Sequence, residues 1–403
     1  MKVALFLTFV CLAAALPKAR QVNNMNHPDR VPGEFLIVLH PPATKGSNFI
    51  YATKVASKIA AISSKITIMN SFTALRAPIL HVKTSDESVM SQLFAINEID
   101  SIDVEMVQHM IEQCSSQTTG SRIWGLSRVS SVTMPDYGSA TYSYGSTDGQ
   151  GVYVYVLDTG VRRTHNDFGG RTENGQSFVG SDPTDTGDRN GHGTHCSCTV
   201  LGTEYGVSKG ATVVAVKVLS DLGFGSTTGI VAGINYMVDD VASRGIRGVG
   251  SMSLGGGANT AIDSAVNSAD AADIPVAVAA GNSNADACNS SPARASGAIT
   301  VGSTDNTDTL SSFSNWGTCV NILAPGSSIL SCGITSDTAT DTLSGTSMAC
   351  PHVAGLIANY LSANPNASSA QVKAYLDSSS SKDQINLRGN DNTPNFLMYS
   401  SCA

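Results

Sequence analysis

Several short runs of almost unbroken apolar residues, interleaved with segments of helical spacing, constrain this chain more than any other feature. Residues 152–157 (VYVYVL), 212–219 (TVVAVKVL), 248–254, 275–280 (PVAVAA) and 298–301 form the runs. A strand with one face in water alternates apolar and polar side chains, whereas a strand covered on both faces reads as continuous apolar sequence. Residues 227–243, 260–272, 347–362 and 369–378 have helical spacing. The alternation predicts an α/β domain in three layers, a mostly parallel central sheet with helices on both sides.

The 403 residues are 41% apolar and 14% charged, enough apolar material for more than one packed domain. The formal net charge is −8, with no basic run. That balance argues against nucleic-acid binding, which rests on clustered Lys and Arg. At the start, Lys2 precedes an apolar run at 3–15 that ends in Ala13-Ala14-Ala15. A charged start, an apolar stretch and small residues at its end predict a signal peptide over 1–15 and an exported, extracellular product. The run is shorter than the roughly 20 residues that span a bilayer, so no membrane anchor is expected.

Residues 16–116 differ from the rest. Lys and Arg number 10 against 9 Asp and Glu through residue 116, and 14 against 23 beyond it. Strands are predicted at 34–40, 72–82 and 99–106 and helices at 52–62 and 87–96, a small α+β unit. The polar stretch 113–121 (QCSSQTTGS) reads as an exposed linker and a natural place for a proteolytic cut. The large domain is then 117–403.

Three short motifs fall at predicted strand ends or helix starts. Asp158-Thr159-Gly160 follows the first apolar strand of the large domain. In parallel sheets functional groups gather at the carboxyl ends of strands. An Asp there can orient an imidazole, though alone it reads equally as a turn residue. Asn190-Gly191-His192-Gly193-Thr194-His195-Cys196 offers two histidines. With Cys198 it also holds zinc-ligand residue types, but in no common zinc spacing. In Ser344-Gly345-Thr346-Ser347-Met348-Ala349, Ser347 is either a helix cap or a nucleophile with backbone N–H groups beside it. Position 349 is Ala, so this is not the Gly-x-Ser-x-Gly elbow.

The order Asp, His, Ser on an α/β chain is that of subtilisin. The wider stretches are VLDTGV (156–161), NGHGTHC (190–196), SLGGG (253–257), AVAAGNSNADAC (277–288), SFSNWGTCVNILAPG (312–326) and SGTSMACPHVAG (344–355). With them, the chain from about residue 124 to its end resembles the subtilase family of serine proteases, in its proteinase K and aqualysin branch. Residues 34–110 resemble, less strongly, the family's ferredoxin-like inhibitory propeptide. The resemblance implies a secreted endopeptidase made as a precursor and matured by its own activity. Ser347 would be the nucleophile, His192 rather than His195 the base, and Asp158 its partner. Asn282 would supply the oxyanion hole. Substrate would lie between Ser253-Leu254-Gly255-Gly256 and Gly223. The primary pocket would be bounded by Ala279, Ala280 and Gly281, and its lack of acidic residues implies an apolar or aromatic preference. Implied partners are protein or peptide substrates and the chain's own propeptide as inhibitor, with the enzyme acting as a monomer.

The resemblance also implies a Cys288–Cys319 disulfide and a free Cys196. Seven cysteines in the large domain from residue 117 on leave at least one without an intramolecular partner. A Cys198–Cys350 contact is open, and Cys332 and Cys402 have no evident partner. No cofactor is needed for the chemistry. Asp182, Asp185 and Asp188 are similar to a structural calcium loop in some members, and read equally as a solvated acidic loop. The aspartate that anchors another family calcium site is replaced here by Asn321.

Two other classes fit less well. Asp-Thr-Gly is also the aspartic-protease signature, but no second Asp-(Thr/Ser)-Gly is present to complete a dyad. An inactive binding protein on the same scaffold would have no use for Asp158, His192, Ser347 and Asn282 together.

Overall fold

The computed structural model describes residues 22–23, 25, 30–43, 47–106, 114–390, 392–400 and 402. The expected signal peptide at 1–15 lies outside them. The chain divides into two compact units, Met1–Met110 and Ile111–Ala403.

The first unit contains β1 (Arg30–Leu39), α1 (Asn48–Ile62), β2 (Ile66–Phe72), β3 (Ile79–Thr84), a 3₁₀ helix at Glu87–Ala95 and β4 (Ile99–Met106). The strands form an antiparallel sheet in the order β2-β3-β1-β4, the ferredoxin-like split arrangement. Alternate residues of β1, Phe35, Ile37 and Leu39, are fully buried in one core with Ala52, Val55 and Ile59 of α1. The single strand expected at 72–82 is instead the hairpin of β2 and β3. Pro78 in the connection lacks the N–H that a continuous inner strand would need.

The second unit begins with β5 (Cys114–Thr118), α2 (Trp124–Val129), β6 (Thr141–Gly145), β7 (Val152–Asp158), β8 (Thr172–Ser177), α3 (His192–Leu201) and β9 (Thr212–Lys217). It continues with α4 (Thr227–Arg244), β10 (Arg247–Met252), β11 (Gly256–Gly257), α5 (Thr260–Ala271), β12 (Val276–Ala279), β13 (Ser290–Ser291) and β14 (Ala298–Thr304). It ends with β15 (Ile322–Pro325), β16 (Ile329–Cys332), β17 (Thr340–Leu343), α6 (Thr346–Ala363), α7 (Ser369–Ser379), β18 (Ser381–Lys382) and β19 (Phe396–Leu397). Nine strands form the central sheet, in the order β18-β19-β15-β14-β12-β10-β7-β9-β8. Every pair is parallel except β18–β19.

The continuous apolar runs have the expected cause. In β7, Val152, Val154 and Val156 join one core with residues of α3 and α6. Tyr155 and Leu157 face the other way, into a core with Ile230, Ile234 and Met237 of α4 and Ile262 and Val266 of α5. Both faces are covered, so the strand stays apolar in character through Leu157, and its one charged residue is the last, Asp158.

Topology then fixes where a site can form. From β7 the chain builds β8 and β9 on one flank, then crosses to place β10 on the other. The crevice outside the carboxyl ends of β7 and β10 is the switch point at which open α/β sheets bind ligands.

The Cys288–Cys319 disulfide and the free Cys196 are as expected, and the other cysteines pair differently. Cys198 bonds to Cys332, not Cys350, tying α3 to β16. Cys402 bonds to Cys114. Cys288 and Cys319 are bonded, and Cys196 and Cys350 are buried free thiols. The stretch expected to be an open linker is also partly ordered. Cys114–Thr118 is a strand whose five residues pair with β6. No helix among the described residues is long and apolar enough to cross a membrane.

Candidate active site

Asp158 is the last residue of β7 and is fully buried. Gly160, at φ +108°, turns the chain away, and a Cβ there would meet the carbonyl oxygens of Thr186 and Gly187 at 2.6 and 2.7 Å. His192 is the first residue of α3. The helix approaches so closely that a Cβ on Gly193 would lie 2.2 Å from the Gly160 carbonyl oxygen. The two glycines thus let the strand end and the helix start meet, and His192 Nδ1 comes 2.8 Å from Asp158 Oδ1. A carboxylate only accepts, so Nδ1 donates and Nε2 is left as the acceptor. The charge of Asp158 holds the His192 pKa above the ordinary imidazole value. Asp158 Oδ1 also accepts from the Thr159 N–H at 2.7 Å.

Ser347 is the second residue of α6, after Gly345 and Thr346. Its hydroxyl donates to the Ser253 carbonyl at 3.3 Å. Asn282 lies just beyond β12. Its Oδ1 accepts from the Thr346 N–H at 2.8 Å and from the Thr346 hydroxyl at 2.9 Å. With the carbonyl end of the amide so engaged, the NH₂ end is the one that can donate elsewhere. Thr346 Oγ1 in turn accepts from the Gly281 N–H at 3.1 Å.

Two cavities of about 340 and 440 Å³ share the wall Ser253-Leu254-Gly255. The first also contains His192, Gly223, Leu219, Phe224 and Ile230. The second contains Gly256, Ala279, Ala280, Gly281, Asn282 and Ser347, and no acidic side chain lines it. Every residue expected from the sequence to touch substrate therefore lines one of these two cavities.

The three acidic residues that read equally as a calcium loop and as a solvated acidic loop have their oxygens engaged by protein donors. Asp188 Oδ1 accepts from the Thr159 hydroxyl and the N–H groups of Asn190 and Gly191, each at 2.9 Å. Its Oδ2 accepts from the Thr194 N–H at 2.9 Å and the Thr194 hydroxyl at 2.6 Å. Five protein donors leave this buried carboxylate to clamp the Asp158 turn to the start of α3. Asp185 pairs with Arg189 at 3.0 Å, and Asp182 accepts from Thr184. The Asn321 side chain likewise accepts from the Thr300 N–H at 2.8 Å and acts within the sheet. These residues do not fit a calcium ion.

Sequence reasoning missed Thr346 and Asn315 as parts of the site. Both stand in quoted motif stretches, but only their contacts reveal a task. Asn315 is buried, accepts from the N–H groups of Ser283 and Ala285, and donates to the Ala280 carbonyl, which fixes the loop that carries Asn282. His195 is fully buried and its Nε2 lies 2.9 Å from the Ile329 carbonyl, away from Asp158. Burial pulls its pKa down to about 4.

Residues 149–397 match the model of the subtilase family. The chain belongs to the subtilase family. It is 44% identical over 328 residues to the "cuticle-degrading serine protease" of Arthrobotrys oligospora, covering 79% of this chain and 76% of that one. It is 47% identical to the "alkaline serine exoprotease A" of Vibrio alginolyticus and 45% identical to the "extracellular serine proteinase" of a Thermus species. Those matches cover 69% and 68% of this chain, and this subtilase spans 50% and 65% of the two relatives' lengths. The crystal structure of a cold-adapted subtilisin-like serine proteinase superimposes with a TM-score of 0.65 at 44% identity, over 70% of this chain and all of that one.

Proposed function

We propose that this subtilase is a secreted serine endopeptidase that works through Asp158, His192 and Ser347. The observation that carries the reading is the 2.8 Å hydrogen bond between His192 and buried Asp158, in a cleft that also holds Ser347 and the Asn282 amide. The Ser347 hydroxyl turns from the Ser253 carbonyl to His192 Nε2 and attacks the peptide carbonyl carbon. His192 takes the hydroxyl proton as the C–O bond forms, and Asp158 stabilises the resulting imidazolium. The negative charge on the former carbonyl oxygen is met by the Asn282 NH₂ and the Ser347 N–H. His192 then returns the proton to the leaving amine, and water releases the acyl group by the reverse sequence. No cofactor takes part.

Substrate runs as an extended strand along Ser253–Gly256, opposite Gly223, and is recognised through its main chain and its side-chain pockets. The small residues and absent acids around Ala279–Gly281 favour apolar or aromatic side chains next to the cut. The first unit acts as the inhibitory propeptide of a monomeric enzyme and is removed by the enzyme's own activity.

A fluorophosphonate tests the reading. The mature protein is expected to lose activity with one label on Ser347, and Ser347→Ala is expected to accumulate uncut. A mature protein that hydrolyses peptides yet takes no label would overturn it.

A further inference from the structure

Helix α6 carries a proline four residues after Ser347, at Pro351. In a regular α-helix the Ser347 carbonyl would accept the N–H of residue 351, and proline has none. Two side chains from other elements reach that carbonyl. Ser253 Oγ donates to it at 2.8 Å and Cys196 Sγ at 3.3 Å. Ser253 follows β10, whose neighbour β7 ends in Asp158. Cys196 sits one turn into α3, below His192, with Sγ 3.9 Å from His192 Nδ1. Both donors are buried, Ser253 at 4% and Cys196 at 0% exposure, so neither bond competes with bulk water. Burial raises the Cys196 pKa, so the thiol keeps its proton and remains a donor.

The pairing with Ser253 is reciprocal. The hydroxyl of Ser347 donates to the Ser253 carbonyl at 3.3 Å, while the hydroxyl of Ser253 donates to the Ser347 carbonyl. The Ser347 carbonyl is thereby held to the segment after β10 and to α3 rather than to the next turn of α6.

We infer that the Ser253 hydroxyl and the Cys196 thiol are positioning residues, which replace the helical hydrogen bond that Pro351 withholds and keep Ser347 in register with His192 and the substrate strand. The inference rests on Ser347 being the nucleophile. Neither side chain is asked to touch the reacting atoms. Each acts through the main chain of Ser347, so its effect belongs in kcat and not in KM.

The test is a double-mutant cycle with rates expressed per fluorophosphonate-titrated site, so that misfolded protein is not counted. Ser253→Ala is expected to lower kcat about tenfold with KM within about twofold, the size of one buried hydrogen bond. Pro351→Ala restores an N–H at position 351. In that background the loss caused by Ser253→Ala is expected to shrink to about threefold or less. Cys196→Val, which removes the donor, is expected to lower kcat severalfold, and Cys196→Ser, which keeps one, to retain most of it. Equal losses with and without Pro351, or losses confined to KM, would overturn the inference. If Ser253→Ala yields no titratable enzyme, the Cys196 pair decides: equal rates for Val and Ser overturn the inference. Absence of labelling in the unaltered enzyme would instead remove the nucleophile assignment itself.

Discussion

Thr346 donates both its backbone N–H and its hydroxyl to the Oδ1 of Asn282, at 2.8 and 2.9 Å. Thr346, the residue before Ser347, therefore decides which end of the Asn282 amide faces the cleft. Asn282→Leu is expected to lower kcat by about 10²–10³ with little change in KM, the magnitude measured for such a donor in subtilisin, a member of this family. Thr346→Val keeps the N–H but loses the hydroxyl, and also strands the Gly281 N–H. Its kcat is expected to fall about tenfold, as for one or two lost buried hydrogen bonds. Steady-state kinetics on a peptide amide checks both.

In the proposed mechanism His192 must be neutral to accept the Ser347 proton, so the acid limb of kcat/KM should report it. Asp158 raises its pKa, so the limb is expected above the ordinary imidazole value of 6.5. Asp158→Asn is expected to move the limb to lower pH and to cut kcat by about 10⁴, because the orienting carboxylate is gone. A limb that does not move would mean that another group is titrating.

Stability should also fall on acidification, through His195 and His352. Burial lowers both pKa values from 6.5 to about 4. The unfolded chain binds these protons first, so each contribution is complete above pH 6.5 and is lost as pH falls towards 4. At most roughly 3 kcal/mol per residue is at stake. Urea midpoints between pH 7 and 4 are expected to drop, and His195→Gln is expected to reduce that drop by about half.

Asp188 is expected to outweigh its neighbours by far. Asp188→Ala strands the buried N–H of Thr194 and the half-buried N–H bonds from Asn190 and Gly191, and is expected to cost about 2–4 kcal/mol and to depress kcat. Asp182→Ala and Asp185→Ala, on exposed loop positions, are expected to stay within about 1 kcal/mol. Calorimetry with and without a chelator separates a clamp from a metal ligand, since a ligand set would respond to the chelator.

The Cys114–Cys402 bond and the pairing of β5 with β6 bear on maturation. A cut after Cys114 would leave the released segment tethered through Cys402. N-terminal sequencing is expected to place the mature start before Ser115, with no chain lost on reduction. For Cys198–Cys332, which closes a loop of 134 residues, the double alanine variant is expected to lose about 3–5 kcal/mol in thermal unfolding.

Much of this was readable in the linear sequence. The strands at Val152–Asp158, Thr212–Lys217 and Ile99–Met106 and the helices at Thr227–Arg244 and Thr260–Ala271 fall where periodicity placed them, within a few residues. Periodicity works there because burial acts on each side chain by its position along one element. The boundary stretch at 113–121 was less readable, because Cys114–Thr118 is small and polar, and its strand depends on a partner at Thr141–Gly145.

The sequence alone determined the family, the order Asp158, His192, Ser347, and the stretches that line the cleft, since each is written in a few adjacent residues. Tertiary structure decided the rest. It paired Cys198 with Cys332 and left Cys350 free, and it spent the oxygens of Asp188 on protein donors. It also gave Thr346 the Asn282 amide and sent two foreign donors to the carbonyl of Ser347. Hydrogen bonds and disulfides require geometry between groups far apart in the chain, and residue identity fixes only which groups are able to make them.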